Sequence, residues 1–192
     1  MHPILRTRAY LICHRRTQRS ERSGLDVYEL ATGDRILECR EGRSLLLNRA
    51  LGLLRAGRMA PVDLRLSTPI GEPVLRILRR GSVLGQTLAL YDELNRRIGA
   101  LELARAQQGE GRLLAPRERV VAELSGPWQL PPCRFLDGPK ELARAELSSL
   151  SSAPYAPPGS RVLRFDAQLA MDAPTRAHML AAALCLELGL QG

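Results

Sequence analysis

The stretch that most constrains this chain lies near its carboxyl end, where Ala177-His178-Met179-Leu180-Ala181-Ala182-Ala183-Leu184-Cys185-Leu186-Glu187-Leu188 carries only two polar side chains. A helix built from it has no polar face, so other parts of the chain must enclose it on every side. Asp172 suits the N-cap and Pro174 the first turn, where the missing N–H costs nothing. The run makes about four turns, short of the roughly 20 apolar residues that a bilayer core requires, and it includes Glu187. The expectation is a buried helix with Met179, Leu180, Ala183, Leu184 and Leu186 in its core, enclosed by the rest of one domain. At 192 residues and 45% hydrophobic, the chain has enough material for one such core.

The enclosing element is legible upstream. Leu25-Asp26-Val27-Tyr28-Glu29-Leu30 leads through Ala31-Thr32-Gly33-Asp34 into Arg35-Ile36-Leu37-Glu38-Cys39-Arg40, the pattern of a hairpin. Leu88-Ala89-Leu90-Tyr91-Asp92 repeats it through Glu93-Leu94-Asn95-Arg96 into Arg97-Ile98-Gly99-Ala100-Leu101-Glu102-Leu103. A shorter copy runs from Cys133-Arg134-Phe135-Leu136 through Asp137-Gly138-Pro139-Lys140 into Glu141-Leu142-Ala143-Arg144-Ala145-Glu146-Leu147. The kernel shared by the first two copies is hydrophobic, any, hydrophobic, Tyr, acid, and it makes Glu29 and Asp92 turn formers. Further strand candidates are residues 9–15, 62–66, 73–79, 120–125 and 161–166. Many short strands with frequent turns predict an antiparallel sandwich or barrel, and closing the sheet would bury the edges and create an interior for the helix.

Two segments read as loops: residues 151–160, rich in Ser and Pro, and residues 107–111, with the composition of a loop tip. Residues 43–58 form a cationic amphipathic candidate, with Leu46, Leu47, Ala50, Leu51, Leu53 and Leu54 on one helical face.

The net charge of +8 and a pI near 10.1 favour anionic partners. Lys140 is the only lysine, so the arginine excess reads as coding bias, while the surplus of positive charge stands. Nucleic acid is not expected, because 4% aromatic residues supply few stacking platforms and no recognition motif occurs. Cys13, Cys39, Cys133 and Cys185 lie far apart, without a CxxC pair, and read as reduced, packed thiols. The apolar run Ala9-Tyr10-Leu11-Ile12-Cys13 is too short for a signal peptide and meets Arg15-Arg16 at once, so a cytoplasmic protein, peripheral at a membrane, is expected.

The sequence resembles the phospholipid scramblase family and, more broadly, tubby-like (LURP-one-related) β-barrel proteins. The residues that carry the likeness are Glu72-Pro73-Val74-Leu75-Arg76-Ile77 with Arg79-Arg80-Gly81-Ser82, Leu90-Tyr91-Asp92 followed by Arg97-Ile98-Gly99, and Val162-Leu163-Arg164-Phe165-Asp166 leading into the terminal apolar run. What the resemblance implies is a closed antiparallel β-barrel of about a dozen strands round a central C-terminal helix. It also implies a non-catalytic protein binding anionic phospholipid, with a link to scrambling. Animal scramblases have an acidic, calcium-associated segment before the last helix. Residues 151–160 contain no carboxylate, and Asp166 and Asp172 alone are too few for an ion that takes six to eight oxygens, so no calcium or other cofactor is expected.

No catalytic residue and no metal ligand is assigned. His2, His14 and His178 are isolated, Cys13-His14 has no second ligand pair at metal-site spacing, and Glu187 is expected at the barrel mouth, its pKa raised by burial unless an arginine pairs with it. The candidates for an anion-binding surface are Arg15, Arg16, Arg43, Arg49, Arg55, Arg58, Arg79 and Arg80. The alternative to lipid binding is a soluble interaction or structural module that takes a protein partner through a sheet edge or residues 43–58. The oligomeric state is left open.

Overall fold

Leu25, Val27, Leu37, Cys39, Leu64, Leu66, Ile77, Leu88, Leu90 and Leu101 recur at alternate positions of their strands, and all are buried. That period of two sends one row of side chains inward and the other outward. The computed structural model describes residues 2–15, 24–41, 62–79, 87–105, 110–129, 132–149, 156–157, 159–166 and 171–188. The strands are β1 (Ala9–His14), β2 (Gly24–Glu29), β3 (Arg35–Glu41), β4 (Val62–Ser67), β5 (Pro73–Arg79), β6 (Thr87–Asp92), β7 (Arg97–Arg105), β8 (Glu110–Leu114), β9 (Val120–Ser125), β10 (Cys133–Asp137), β11 (Lys140–Leu147) and β12 (Arg161–Phe165). Each pairs antiparallel with its neighbours in sequence, and β1 pairs with β12 to close a twelve-stranded barrel.

The helix α1 (Ala173–Glu187) follows β12. Asp172 caps it, its Oδ1 accepting from Thr175 N at 2.9 Å, and Pro174 occupies the first turn. All ten residues from Ala177 to Leu186 are buried, Met179, Leu180, Ala183, Leu184 and Leu186 among them. Its first turns meet Leu114 at the end of β8 and Thr7 ahead of β1, while Glu187 meets His14 at the far end of β1. The helix therefore runs through the barrel interior, as an all-apolar surface requires. Twelve strands make a barrel wider than the eight whose own side chains fill the lumen, and α1 occupies the difference.

The five hairpins β2–β3, β4–β5, β6–β7, β8–β9 and β10–β11 turn at one rim, called here the hairpin rim. Each shifts register close to its turn: between Val27 and Tyr28, Leu66 and Ser67, Leu90 and Tyr91, Leu113 and Leu114, and Phe135 and Leu136. A bulge adds local twist, and repeating it round one rim bends the sheet toward closure. In β2 and β6 the Tyr-acid kernel coincides with this backbone device. Asp92 is the clearest case: its Oδ1 accepts from Leu94 N at 3.1 Å and Arg96 N at 2.8 Å.

Polar residues form ion pairs across the outward face. Arg76 Nε donates to Asp63 at 2.8 Å, Arg112 to Glu102 at 3.0 Å, Arg144 to Glu141 at 2.9 Å and Arg164 to Glu146 at 3.1 Å. A lipid-facing barrel carries an apolar band outside and polar groups inside, the reverse of this arrangement. Among the described residues no helix is long and apolar enough to cross a membrane.

Two loop expectations are corrected. Glu110 and Gly111, expected in a loop tip, belong to β8, where a Cβ on Gly111 would press within 3.3 Å of Leu124 Cβ and 3.2 Å of Glu102 O. Glycine serves close strand packing there. Ser160, expected in an exposed loop, is buried and donates to Pro157 O at 2.7 Å. It sits over an outward patch on β1 and β12, where Leu11, Cys13 and Val162 pack under Tyr28, Leu30 and Ala156.

Candidate functional site

At the rim opposite the hairpins, the end of α1 is tied to three parts of the wall. Trp128 Nε1 donates to Glu187 Oε2 at 3.2 Å, Arg161 Nε donates to the same oxygen at 3.0 Å, and His14 Nε2 lies 3.0 Å from Oε1. The Arg161 guanidinium also covers the Trp128 ring, 4.7 Å from its centroid, while its Nη1 is buried and has no hydrogen-bond partner among the described residues. Glu187 therefore lies at the barrel mouth and is paired with an arginine. His14 and Glu187 are 173 positions apart in sequence, so no local motif pointed to their meeting.

This cluster holds the helix in place and, among the described residues, brings no nucleophile to its imidazole. Cys13 points to the outer face, where Ser160 Oγ lies 3.2 Å from its Sγ. Burial pushes the Cys13 thiol up, and it pushes Cys133 up to about 12, with Arg161 opposing that shift. Cys185 is likewise raised by burial. Thiols held protonated are weak nucleophiles. All four cysteines are free and buried. His178 is packed in the core, its Nδ1 2.7 Å from Pro174 O and its Nε2 2.9 Å from Leu114 O.

The arginines expected to bind anions fare differently. Arg15 is committed to the barrel wall: its Nε bonds both oxygens of Asp26 at 3.2 Å, and Nη2 lies 3.4 Å from Glu38. Asp26 and Glu38 face each other across β2 and β3, and Arg35 and Arg40 also reach Glu38. Burial alone would raise the Glu38 carboxyl, but the guanidiniums of Arg40, Arg15 and Arg35 outweigh it and hold the group below its usual range. Arg79 is buried at the end of β5, and desolvation lowers its pKa. It offers little surface to an outside ligand. Arg16, Arg43, Arg49, Arg55, Arg58 and Arg80 lie outside the described residues, as does the amphipathic segment 43–58.

A different basic site occurs at the hairpin rim. Residues 2–8 cross the barrel end, with Leu5 of the short 3-10 turn Pro3–Arg6 buried in the core. Tyr10 Oη donates to Ile4 O at 3.0 Å, and Arg176 Nη1 of α1 donates to Arg6 O at 3.0 Å and Thr7 O at 2.9 Å. Those bonds tie down the backbone of the crossing segment, with Leu5 inward and Arg6 and Arg8 exposed. Arg6, Thr7, Arg8 and Arg164, with Glu29, Leu30 and Ala31, line an open depression of about 610 Å³. Arg164 is paired with Glu146, whereas Arg6 and Arg8 are exposed and make no ion pair among the described residues. The sequence carried a partial cue, two arginines two residues apart in Arg6-Thr7-Arg8, but Arg6 closes a 3-10 turn and the structure alone places both at the depression.

The groove can hold an oxyanion between guanidiniums, which suit phosphate and carboxylate geometry. Among the described residues no group of His, Cys, Asp and Glu is arranged to hold a metal ion. The chain matches no known family model, no curated protein and no solved structure.

Proposed function

We propose that the protein is a non-catalytic, scramblase-like barrel that docks on anionic phospholipid at a membrane surface, with the groove of Arg6, Arg8 and Arg164 as its headgroup site. The observation that carries the reading is the pair Arg6 and Arg8, two exposed guanidiniums beside an open depression, on a molecule that ties most of its other cross-strand arginines to carboxylates. Uncommitted cations attract an anionic surface, and each basic residue near such a surface contributes about 1 kcal/mol. The architecture supports the reading, since a barrel round a central helix is what the resemblance to scramblases and tubby-like proteins implies. The commitment of Glu187 and His178 to structural hydrogen bonds supports a binding role over a catalytic one. Apolar residues of α1 fill the described lumen, so the reading is surface docking and not passage of headgroups through the barrel.

Co-sedimentation with phosphatidylcholine vesicles, with and without phosphatidylserine, tests it. Retention on the anionic vesicles is expected to fall with added salt, and the Arg6→Glu/Arg8→Glu variant to bind at least about tenfold more weakly. Equal retention on neutral and anionic vesicles, insensitive to salt, would overturn the proposal and favour a protein-binding module.

A further inference from the structure

Three of the large apolar side chains most exposed among the described residues stand at the hairpin rim: Ile70 at 83%, Leu94 at 66% and Val120. Single exposed apolar residues are ordinary on protein surfaces. Here two of them occupy the same place in matching turns. In the β4–β5 turn, Thr68 N donates to Glu72 O at 2.8 Å, while Gly71 N donates to Thr68 O at 2.9 Å and Glu72 N to Thr68 Oγ1 at 3.1 Å. In the β6–β7 turn, Asp92 N donates to Arg96 O at 3.0 Å, Asn95 N to Asp92 O at 2.9 Å and Arg96 N to Asp92 Oδ1 at 2.8 Å. Ile70 and Leu94 are each the third residue of their turn, on hairpins joined by the pairing of β5 with β6. Turn tips are polar by default, so a large aliphatic side chain at the same point of two adjoining tips calls for an apolar destination.

We infer that Ile70 and Leu94 are prongs that enter the interfacial layer of an anionic bilayer, with the hairpin rim as the docking end. The inference rests on the surface-docking reading above and names the end of the molecule that does it. Charge argues for this occupant: Arg97, three residues after Leu94, is exposed and makes no ion pair among the described residues, and the exposed Arg119 and Val120 sit together at the next hairpin, while Arg96 is paired with Asp92. The basic groove belongs to the same rim, because His2 Nε2, four residues before Arg6, lies 3.6 Å from Glu72, two residues after Ile70. Shape argues for it as well. A protein partner needs a contiguous patch with a packed centre, whereas these side chains stand on separate turns. A bilayer interface takes isolated apolar groups one at a time and pairs the flanking guanidiniums with headgroups.

The four native cysteines are buried, so a single introduced thiol at an exposed position can be labelled in the folded protein. The variants Ile70→Cys, Leu94→Cys and, as the opposite-rim control, Leu147→Cys at 49% exposure are labelled with an environment-sensitive fluorophore and mixed with phosphatidylserine-containing phosphatidylcholine vesicles. The probes at positions 70 and 94 are expected to shift to the blue and to be quenched by lipid-borne quenchers, with position 147 unchanged. An unlabelled Ile70→Ser/Leu94→Ser variant is expected to lose about a hundredfold in vesicle affinity, roughly tenfold for each side chain. Vesicle binding with no spectral change at 70 and 94, or with the change at 147 instead, would overturn the prongs and leave surface docking standing. Absence of vesicle binding by the unlabelled wild-type protein would overturn both.

Discussion

His178 reaches the barrel wall through the space that Gly99 leaves open. A Cβ on Gly99 would lie 2.1 Å from His178 Nε2 and 2.0 Å from the carbonyl oxygen of Leu114, the atom that Nε2 meets at 2.9 Å. The helix and the sheet therefore interlock at one point, with glycine on β7 accommodating an imidazole from α1.

Gly99→Ala is expected to destabilise the fold by about 3 kcal/mol or more, because one of the two clashing atoms is backbone and cannot rotate away. A urea denaturation curve reads this as a lower midpoint. An unchanged midpoint would mean that the imidazole does not occupy this position.

The same histidine makes stability depend on pH. Burial pushes its pKa down, and the carbonyls of Pro174 and Leu114, which favour a protonated ring, only partly oppose it. With the folded pKa below the unfolded value of about 6.5, the unfolded chain binds the proton first, so this contribution is complete above the unfolded pKa and is lost as pH falls below it. Denaturation midpoints measured from pH 7.5 downward, across roughly the ordinary histidine range, are expected to fall more steeply for wild type than for His178→Gln. Parallel curves would remove His178 as the source.

Glu187 and Arg161 form a nearly buried pair, with side chains 9% and 10% exposed. Removing one partner strands the other charge, so Glu187→Ala is expected to cost about 3 to 5 kcal/mol, while Glu187→Leu/Arg161→Met restores much of it. Thermal or urea unfolding of the wild type and the two variants decides the matter. Equal losses in the single and double variants would show that the wall contacts at this rim, and not charge pairing, carry the stability.

Arg117 and Glu118 both adopt left-handed backbone, with φ of 66° and 60°, in the turn where Ala115 N donates to Arg119 O at 2.8 Å. That turn favours Asn-Gly, and the side chains present strain it. Arg117→Asn/Glu118→Gly is expected to stabilise the protein by about 1 to 2 kcal/mol, seen as a higher denaturation midpoint.

Local signals carried much of the architecture. Asp172 and Pro174 mark the start of α1, its uniform apolarity requires enclosure, and the Tyr-acid kernels announce hairpins whose turns Asp92 and its counterparts close. Strand β8 escaped because Glu110-Gly111-Arg112 has neither apolar alternation nor enough length, and it becomes a strand by pairing with Glu102 and Leu124 on its two neighbours. The anion-binding expectation failed to foresee the fate of Arg15 for a related reason: Asp26 and Glu38 become its partners only when β2 and β3 take their register.

The sequence by itself determined the terminal helix and most of the strands and turns, because caps, alternation and turn chemistry act over a few residues. Tertiary structure alone decided which charges are spent and which remain available. Barrel closure brings His14 to Glu187 and seats Arg6 and Arg8 beside Arg164, and such meetings depend on register and on side-chain direction across chain separations that no local pattern encodes.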